Sequence, residues 1–320
     1  MNDQTTAAEP AAAAAAVTVP EAVATPALGE PGARSGGRRA ALAPVALVVA
    51  GALSVQFGAA IAVLLMPRTG ALGVVTLRLA AAALVLLVVC RPRLRGHSRA
   101  DWGTVVAFGI AMGGMNTLFY QAADRIPLGA AVTLEVLGPL ALSVIASRRL
   151  VNLVWAVLAL GGVVLLSGGG FDRLDPVGAA YALGAGAMWA AYIVFSARTG
   201  RRFPQADGLA LAMVVAALLS LPLGIMDAGS KLLVPTTLGL GAAVALLSSV
   251  LPYTLELIAL RRLPAPTFAI LMSLEPAIAA MAGFLVLHQA LSTTDALAIA
   301  LVIGASMGAV RSQVRGASKR

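Results

Sequence analysis

Charged residues are scarce in this chain, and their scarcity excludes the common soluble folds. Only 12% of the 320 residues are Asp, Glu, Lys or Arg, while 59% are hydrophobic. A soluble domain carries about 25% charged residues, so this sequence has too few charges to cover a water-facing surface. We therefore expect most apolar side chains to face lipid, and the abundant Ala and Gly to let helices pack closely within it.

Cysteine, histidine and the common catalytic motifs are also scarce or absent. A single cysteine, Cys90, excludes an internal disulfide, and the two histidines lie in or near predicted loops without metal-ligand spacing. The sequence contains no GxxxxGKS/T phosphate loop, no HExxH and no GxSxG. The polar segments are too short to form a catalytic domain, so the sequence predicts neither an enzyme nor a cofactor.

Apolar runs of about 20 residues recur along the chain, and each is long enough to cross about 30 Å of hydrocarbon as a helix. The sequence therefore predicts an all-α membrane protein. Residues 1–41 lack apolar periodicity and predict a disordered tail, and residues 311–320 form a short basic tail. We predict ten spans, near 44–66, 71–90, 102–121, 126–147, 150–168, 175–197, 205–225, 236–260, 264–287 and 290–310.

Lys and Arg are distributed unevenly between the loops, and this distribution predicts the orientation of the chain. With the N-terminus inside, 18 of the 23 Lys and Arg residues fall in cytoplasmic segments and 4 in outer loops. Cytoplasmic loops are enriched in positive charge, so we predict a multi-pass plasma-membrane protein with both termini cytoplasmic. The same distribution explains the net charge of +9 without nucleic-acid binding.

An internal repeat divides the membrane part into two halves, 42–170 and 171–310, with five predicted spans each. Because five is odd, the second half inserts upside down. Secondary transporters use such inverted repeats, with a substrate site at mid-membrane where the halves meet. RIPLGAAVTLEVLGP (125–139) matches RLPAPTFAILMSLEP (262–276) at a shift of 137 residues, and GALSVQFGAAIA (51–62) matches GAMWAAYIVFSA (186–197) more loosely.

Apart from aspartates in the first two turns of a span, four charged residues lie within the predicted spans, where each costs a few kcal/mol: Arg78, Glu135, Glu256 and Glu275. An ion pair with Arg78 could neutralise one glutamate and serve only packing. Three acids face one base, however, so at least two acids remain to be protonated, solvated or paired with a cationic ligand. This surplus predicts a site that binds an ammonium group or carries a proton, and it leaves open which glutamate does so.

Prolines and polar side chains occur in the same spans. Pro139 follows Glu135 by four residues and removes the helical donor to its carbonyl group, and Pro276 directly follows Glu275. Broken helices are tolerated in a membrane where the freed backbone groups are buried or line a cavity; an ordinary packing kink is the alternative. The predicted substrate or proton site comprises Glu135, Glu275, Glu256, Arg78, Asn116, Tyr120, Tyr253, Gln56, Ser273 and Trp189.

Six stretches spread over residues 42–310 resemble a known family. They are GVVTLRLA (73–80), GGMNTLFYQAADRIPLGAAVTLEVLGPLA (113–141), SRRLVNLVWAVLA (147–159), ALGAGAMWAAYI (182–193), LPYTLELIALRRLPAPTFAILMSLEPAIAA (251–280) and GASMG (304–308). They are similar to the drug/metabolite transporter superfamily, in its ten-helix family with two EamA-type repeats, and within it to bacterial exporters of threonine and homoserine. The resemblance implies amino-acid export driven by protons across a lipid bilayer, and it leaves a homodimer open.

Other functions are compatible with the same residues. For a zwitterionic substrate, a glutamate would bind the ammonium group, and Arg78, Asn116 or a freed backbone amide would bind the carboxylate. Export of another metabolite or of a cationic drug would use the acidic residues without needing Arg78. A non-transporting membrane scaffold would need the buried acids only for folding. An integral membrane enzyme is disfavoured because no catalytic constellation is recognisable.

Overall fold

The computed structural model of the protein describes residues 37–147, 150–166, 174–203, 207–252, 255, 259 and 265–317. Most of these residues are helical and none of them is in a β-strand, which confirms the predicted all-α fold. Residues 1–36 of the predicted tail lie outside the described residues. Helix begins at Gly37 rather than after residue 41.

The helices follow the predicted spans closely. Within the part of the chain that the structure describes, six helical stretches are long and apolar enough to cross a membrane, and Leu128–Leu142 and Pro235–Val250 are shorter apolar helices. A 3-10 helix (Gly229–Leu233) precedes α8 and a π-helical turn (Leu246–Val250) follows it. In the described residues the α-helices are α1 (Gly37–Cys90), α2 (Arg99–Ala123), α3 (Leu128–Glu135), α4 (Leu137–Ser147), α5 (Leu150–Leu166), α6 (Pro176–Gly200), α7 (Asp207–Ala228), α8 (Pro235–Ala245), α9 (Ala265–Met272), α10 (Glu275–Leu287) and α11 (Thr293–Ala317).

Helix α1 contains the first two predicted spans, separated by a break at Gly70. A straight helix of its 54 residues would be about 80 Å long, more than twice the thickness of the hydrocarbon core. At Gly70 the backbone has φ 69° and ψ 168°, which glycine adopts at no steric cost. Asp227 of α7 accepts a hydrogen bond from the backbone N–H of Leu72 there. The loop expected at 67–70 is thus a break at one glycine, with helix on both sides.

The most extensive helix contacts join the two predicted halves. Helix α1 packs along α7, α2 packs along α6 and α7, and α5 packs along α11. A Cβ added at Gly109 would lie 2.7 Å from the Ala212 carbonyl oxygen, and one added at Gly113 would lie 3.3 Å from the Ala216 Cα. Helices in lipid associate through such small residues, so the core lies where the halves meet.

Two predicted spans are each divided into two short helices. Helices α3 and α4 meet at Val136, and Ser273 and Leu274 separate α9 from α10. The shift of 137 residues found in the sequence repeat carries Leu128–Glu135 onto Ala265–Met272, the bounds of α3 and α9. The two breaks therefore occupy equivalent positions, as an internal repeat requires.

Candidate functional site

A cavity of about 170 Å³ lies beside both helix breaks, where the halves meet. It includes six of the ten residues predicted for the site from the sequence: Gln56, Arg78, Asn116, Glu135, Trp189 and Glu275. The remaining lining residues are Val55, Ala59, Met115, Phe119, Val132, Tyr192, Ser248, Pro252 and Met272. The cavity thus combines charged and polar side chains with an apolar wall.

The two glutamates enter the cavity from different ends of their helices. Glu135 is the last residue of α3 and 9% exposed, whereas Glu275 is the first residue of α10 and 7% exposed. The N-terminus of a helix carries partial positive charge and stabilises a carboxylate. Glu275 receives this stabilisation and has an interaction partner, whereas Glu135 lies at the negative end of its helix.

Close backbone packing against α6 fixes the position of Glu135. Pro139 cannot donate the hydrogen bond that the Glu135 carbonyl would receive in a continuous helix. An added Cβ at Gly186 would lie 2.5 Å from this carbonyl oxygen, and one at Gly138 would overlap the Gly186 carbonyl group. Glycine at both positions therefore lets the break between α3 and α4 contact the backbone of α6.

Arg78 is held at the cavity by one partner from each half. Its Nη1 donates a hydrogen bond to the Tyr120 hydroxyl at 3.1 Å, and its Nη2 donates to the Ser248 backbone oxygen at 3.1 Å. The guanidinium also lies 5.6 Å from the centroid of the Tyr120 ring, within the range of a cation–π contact. Glu135 lines the same cavity and makes no ion pair with Arg78 among the described residues. The cavity therefore contains a fixed cation and a separate carboxylate.

Two of the residues predicted for the site do not line the cavity, and two others lie outside the described residues. Tyr120 is fully buried, and its hydroxyl accepts a hydrogen bond from Arg78 of the lining. Ser273 lies in the second helix break and is 6% exposed, but it is not part of the lining. Tyr253 and Glu256 lie outside the described residues, so their roles stay predictions.

The apolar part of the lining was not predicted from the sequence. Met115 and Phe119 of α2, and Val55 and Ala59 of α1, line the cavity beside the polar residues of the same helices. Their side chains have the same chemistry as those that face lipid, so composition does not distinguish them. Their spacing of four residues, which places each pair on one helix face, was the available signal.

A polar cavity buried between two helical halves of an apolar bundle is typical of a secondary transporter. Residues 176–311 match the EamA-like transporter family. The chain is 43% identical over 267 residues to the threonine/homoserine exporter RhtA of Escherichia coli (strain K12), which covers 83% of this chain and 90% of that protein. The chain therefore belongs to the EamA-like transporter family and is a multi-pass membrane protein.

Further relatives agree with this family, and one solved structure shares the fold. The threonine/homoserine exporter RhtA of Salmonella typhimurium (strain LT2) is 42% identical over the same share of the chain. The uncharacterized transporter YwfM of Bacillus subtilis (strain 168) is 29% identical, over 73% of this chain and 81% of that protein. A protein of known crystal structure is similar over 85% of this chain and 98% of its own chain, with a TM-score of 0.53 and 19% identity. This similarity shows that the two proteins share a fold.

Proposed function

We propose that this protein exports small zwitterionic amino acids, such as threonine and homoserine, across the plasma membrane in exchange for protons. The observation that carries the proposal is the cavity in which Arg78, Glu135 and Glu275 come together. The names of the relatives from E. coli and S. typhimurium support the same substrates. The unequal distribution of Lys and Arg supports cytoplasmic termini and two inverted halves, 42–170 and 171–310.

The charges of the cavity suit both ends of a zwitterion. The guanidinium of Arg78 can bind the substrate carboxylate with charge-assisted hydrogen bonds, and a glutamate can bind the ammonium group. Sites for drug-sized ligands usually have volumes of about 300–1,000 Å³. The volume of about 170 Å³ therefore favours a small amino acid over a bulky cationic drug.

Competition for one carboxylate couples the substrate to the proton. Glu135 lacks the stabilisation that a helix N-terminus gives Glu275, so its buried charge depends on neutralisation by a bound cation or proton. Either the substrate ammonium group or a proton can fill this role, but not both together. The site then faces outward with the substrate bound and returns inward with a proton bound. This exchange lets the proton gradient drive export.

Efflux of threonine and homoserine from preloaded proteoliposomes tests the substrate assignment, with Arg78→Leu as the diagnostic variant. We expect the intact protein to release both amino acids. In Arg78→Leu the efflux rate should fall by more than about tenfold, because the substrate carboxylate loses its charged partner. Arg68→Leu, which changes an exposed arginine outside the cavity, should retain the intact rate.

The competing functions predict different results in the same assay. An exporter of organic cations does not need Arg78, so it would release a small cation equally well with and without Arg78→Leu. A membrane scaffold would release nothing although it inserts normally. Unchanged threonine efflux from a correctly inserted Arg78→Leu protein would show that Arg78 does not bind the substrate.

A further inference from the structure

Two buried side-chain atoms of the cavity lining have no hydrogen-bond partner among the described residues: Arg78 Nε and Gln56 Oε1. The first belongs to a guanidinium that the proposed function already uses. The second belongs to a carboxamide that is only 4% exposed and has no role so far. A buried acceptor without a donor is unfavourable, so an unpartnered Gln56 oxygen points to a group that arrives with the substrate.

Four other polar side chains of the lining have partners. Asn116 Nδ2 donates to the Met112 carbonyl oxygen at 2.9 Å, and Ser248 Oγ donates to the Val244 carbonyl oxygen at 2.6 Å. Tyr192 and Glu275 also have interaction partners. Among the described lining residues, Gln56 is the uncharged side chain with a buried, unpartnered acceptor.

The helix that carries Gln56 is anchored on either side of this residue. Ser54 Oγ donates a hydrogen bond to the Leu247 carbonyl oxygen at 2.5 Å. At Gly58 an added Cβ would lie 3.0 Å from Ser248 Cβ, so α1 touches the π-helical turn there. Val55 and Ala59 give the wall beside Gln56 an apolar surface. A polar group held in a fixed position on an apolar wall is the arrangement that gives ligand specificity.

We propose that Gln56 recognises the side-chain hydroxyl of the substrate, whose O–H donates a hydrogen bond to the carboxamide oxygen. The inference rests on the proposed function and refines it. Arg78 and Glu135 bind the carboxylate and the ammonium group that all amino acids share, so they cannot select a side chain. Gln56 adds selection for small amino acids with a side-chain hydroxyl over aliphatic amino acids and ethers of similar size.

Competition against labelled threonine in proteoliposomes tests this selection with two matched probes. O-methylserine is an isomer of threonine and homoserine whose ether oxygen cannot donate, and valine has a methyl group in place of the threonine hydroxyl. In the intact protein we expect threonine and homoserine to compete about tenfold better than either probe, as one hydrogen bond implies. In Gln56→Leu the four compounds should compete within about twofold of one another, because the acceptor is gone.

A control variant separates recognition from a general effect of removing a buried polar group. Thr199 Oγ1 is also buried without a partner among the described residues, but Thr199 lies outside the cavity lining. Thr199→Val should therefore keep the preference for hydroxyl compounds. Where Gln56→Leu fails to insert, Gln56→Met, which keeps the unbranched shape of the side chain, replaces it.

The outcomes distinguish failure of this inference from failure of the proposed function. Threonine transport without a preference over O-methylserine, or a preference that survives in the Gln56 variants, would overturn the role of Gln56 and leave the export function standing. An inserted intact protein that transports neither threonine nor homoserine would overturn both. A preference that disappears in the Gln56 variants and persists in Thr199→Val would support the inference.

Discussion

Replacing Gly138 with alanine tests whether backbone packing against α6 positions the site. The added Cβ would overlap the carbonyl group of Gly186. Because the overlap is with backbone atoms, no side-chain rotation can relieve it, and α4 or α6 must move. Glu135 lies three residues before Gly138 and its carbonyl oxygen contacts the same glycine of α6, so the movement must reach the cavity.

The expected magnitude follows from the kind of contact. Overpacking a close-packed contact costs about 1–3 kcal/mol, and we expect the upper end of this range because both contacting groups are backbone. A displacement of a functional group by about 1 Å can lower a rate by about a hundredfold. Gly138→Ala should therefore lower both the thermal stability and the rate of transport.

Gly161 provides the matched control for this substitution. An added Cβ at Gly161 of α5 would have no atom within 4 Å. Alanine is a better helix former than glycine by about 1 kcal/mol, so Gly161→Ala should be neutral or slightly stabilising. Thermal unfolding in detergent and threonine efflux would be compared for both variants. A Gly138→Ala protein as stable and active as Gly161→Ala would show that this backbone contact does not position the site.

Two further substitutions test contacts that hold the site and the fold. Tyr120→Phe removes the acceptor of one Arg78 hydrogen bond at 3.1 Å, so the KM for threonine should rise about threefold to tenfold without loss of insertion; an unchanged KM would contradict this positioning role. Gly70→Ala places a Cβ at φ 69°, against the Asp227 carboxylate, and should lower the free energy of unfolding by about 1 kcal/mol or more. A melting temperature equal to that of Gly239→Ala, where the added Cβ meets open space, would contradict it.

The spans and the buried charges could be predicted because lipid imposes simple rules on sequence. Each crossing needs about 20 apolar residues, and a charge inside such a run stands out. Arg78, Glu135 and Glu275 were found in this way, and the structure places all three at one cavity. The prolines near both glutamates also predicted broken helices, and breaks occur at Val136 and at Ser273–Leu274.

Contacts between residues distant in sequence could not be predicted. Tyr120 was expected to line the site, but it is a buried hydrogen-bond acceptor from Arg78, a residue 42 positions away. The apolar wall, including Met115 and Phe119, looks the same in sequence as a lipid-facing surface. The break at Gly70 depends on the backbone conformation of that one residue. The short segment between the two apolar spans does not show from its sequence which residue adopts it.

Threonine efflux with and without an uncoupler tests whether a proton and the substrate compete at Glu135. Asp124→Asn makes the same chemical change at an exposed acid outside the cavity and serves as the control. We predict that the uncoupler slows threonine efflux by the intact protein and by Asp124→Asn, while efflux by Glu135→Gln is low and does not respond to it. Efflux by a correctly inserted Glu135→Gln protein at the intact rate, with the intact response to the uncoupler, would show that Glu135 does not couple transport to protons.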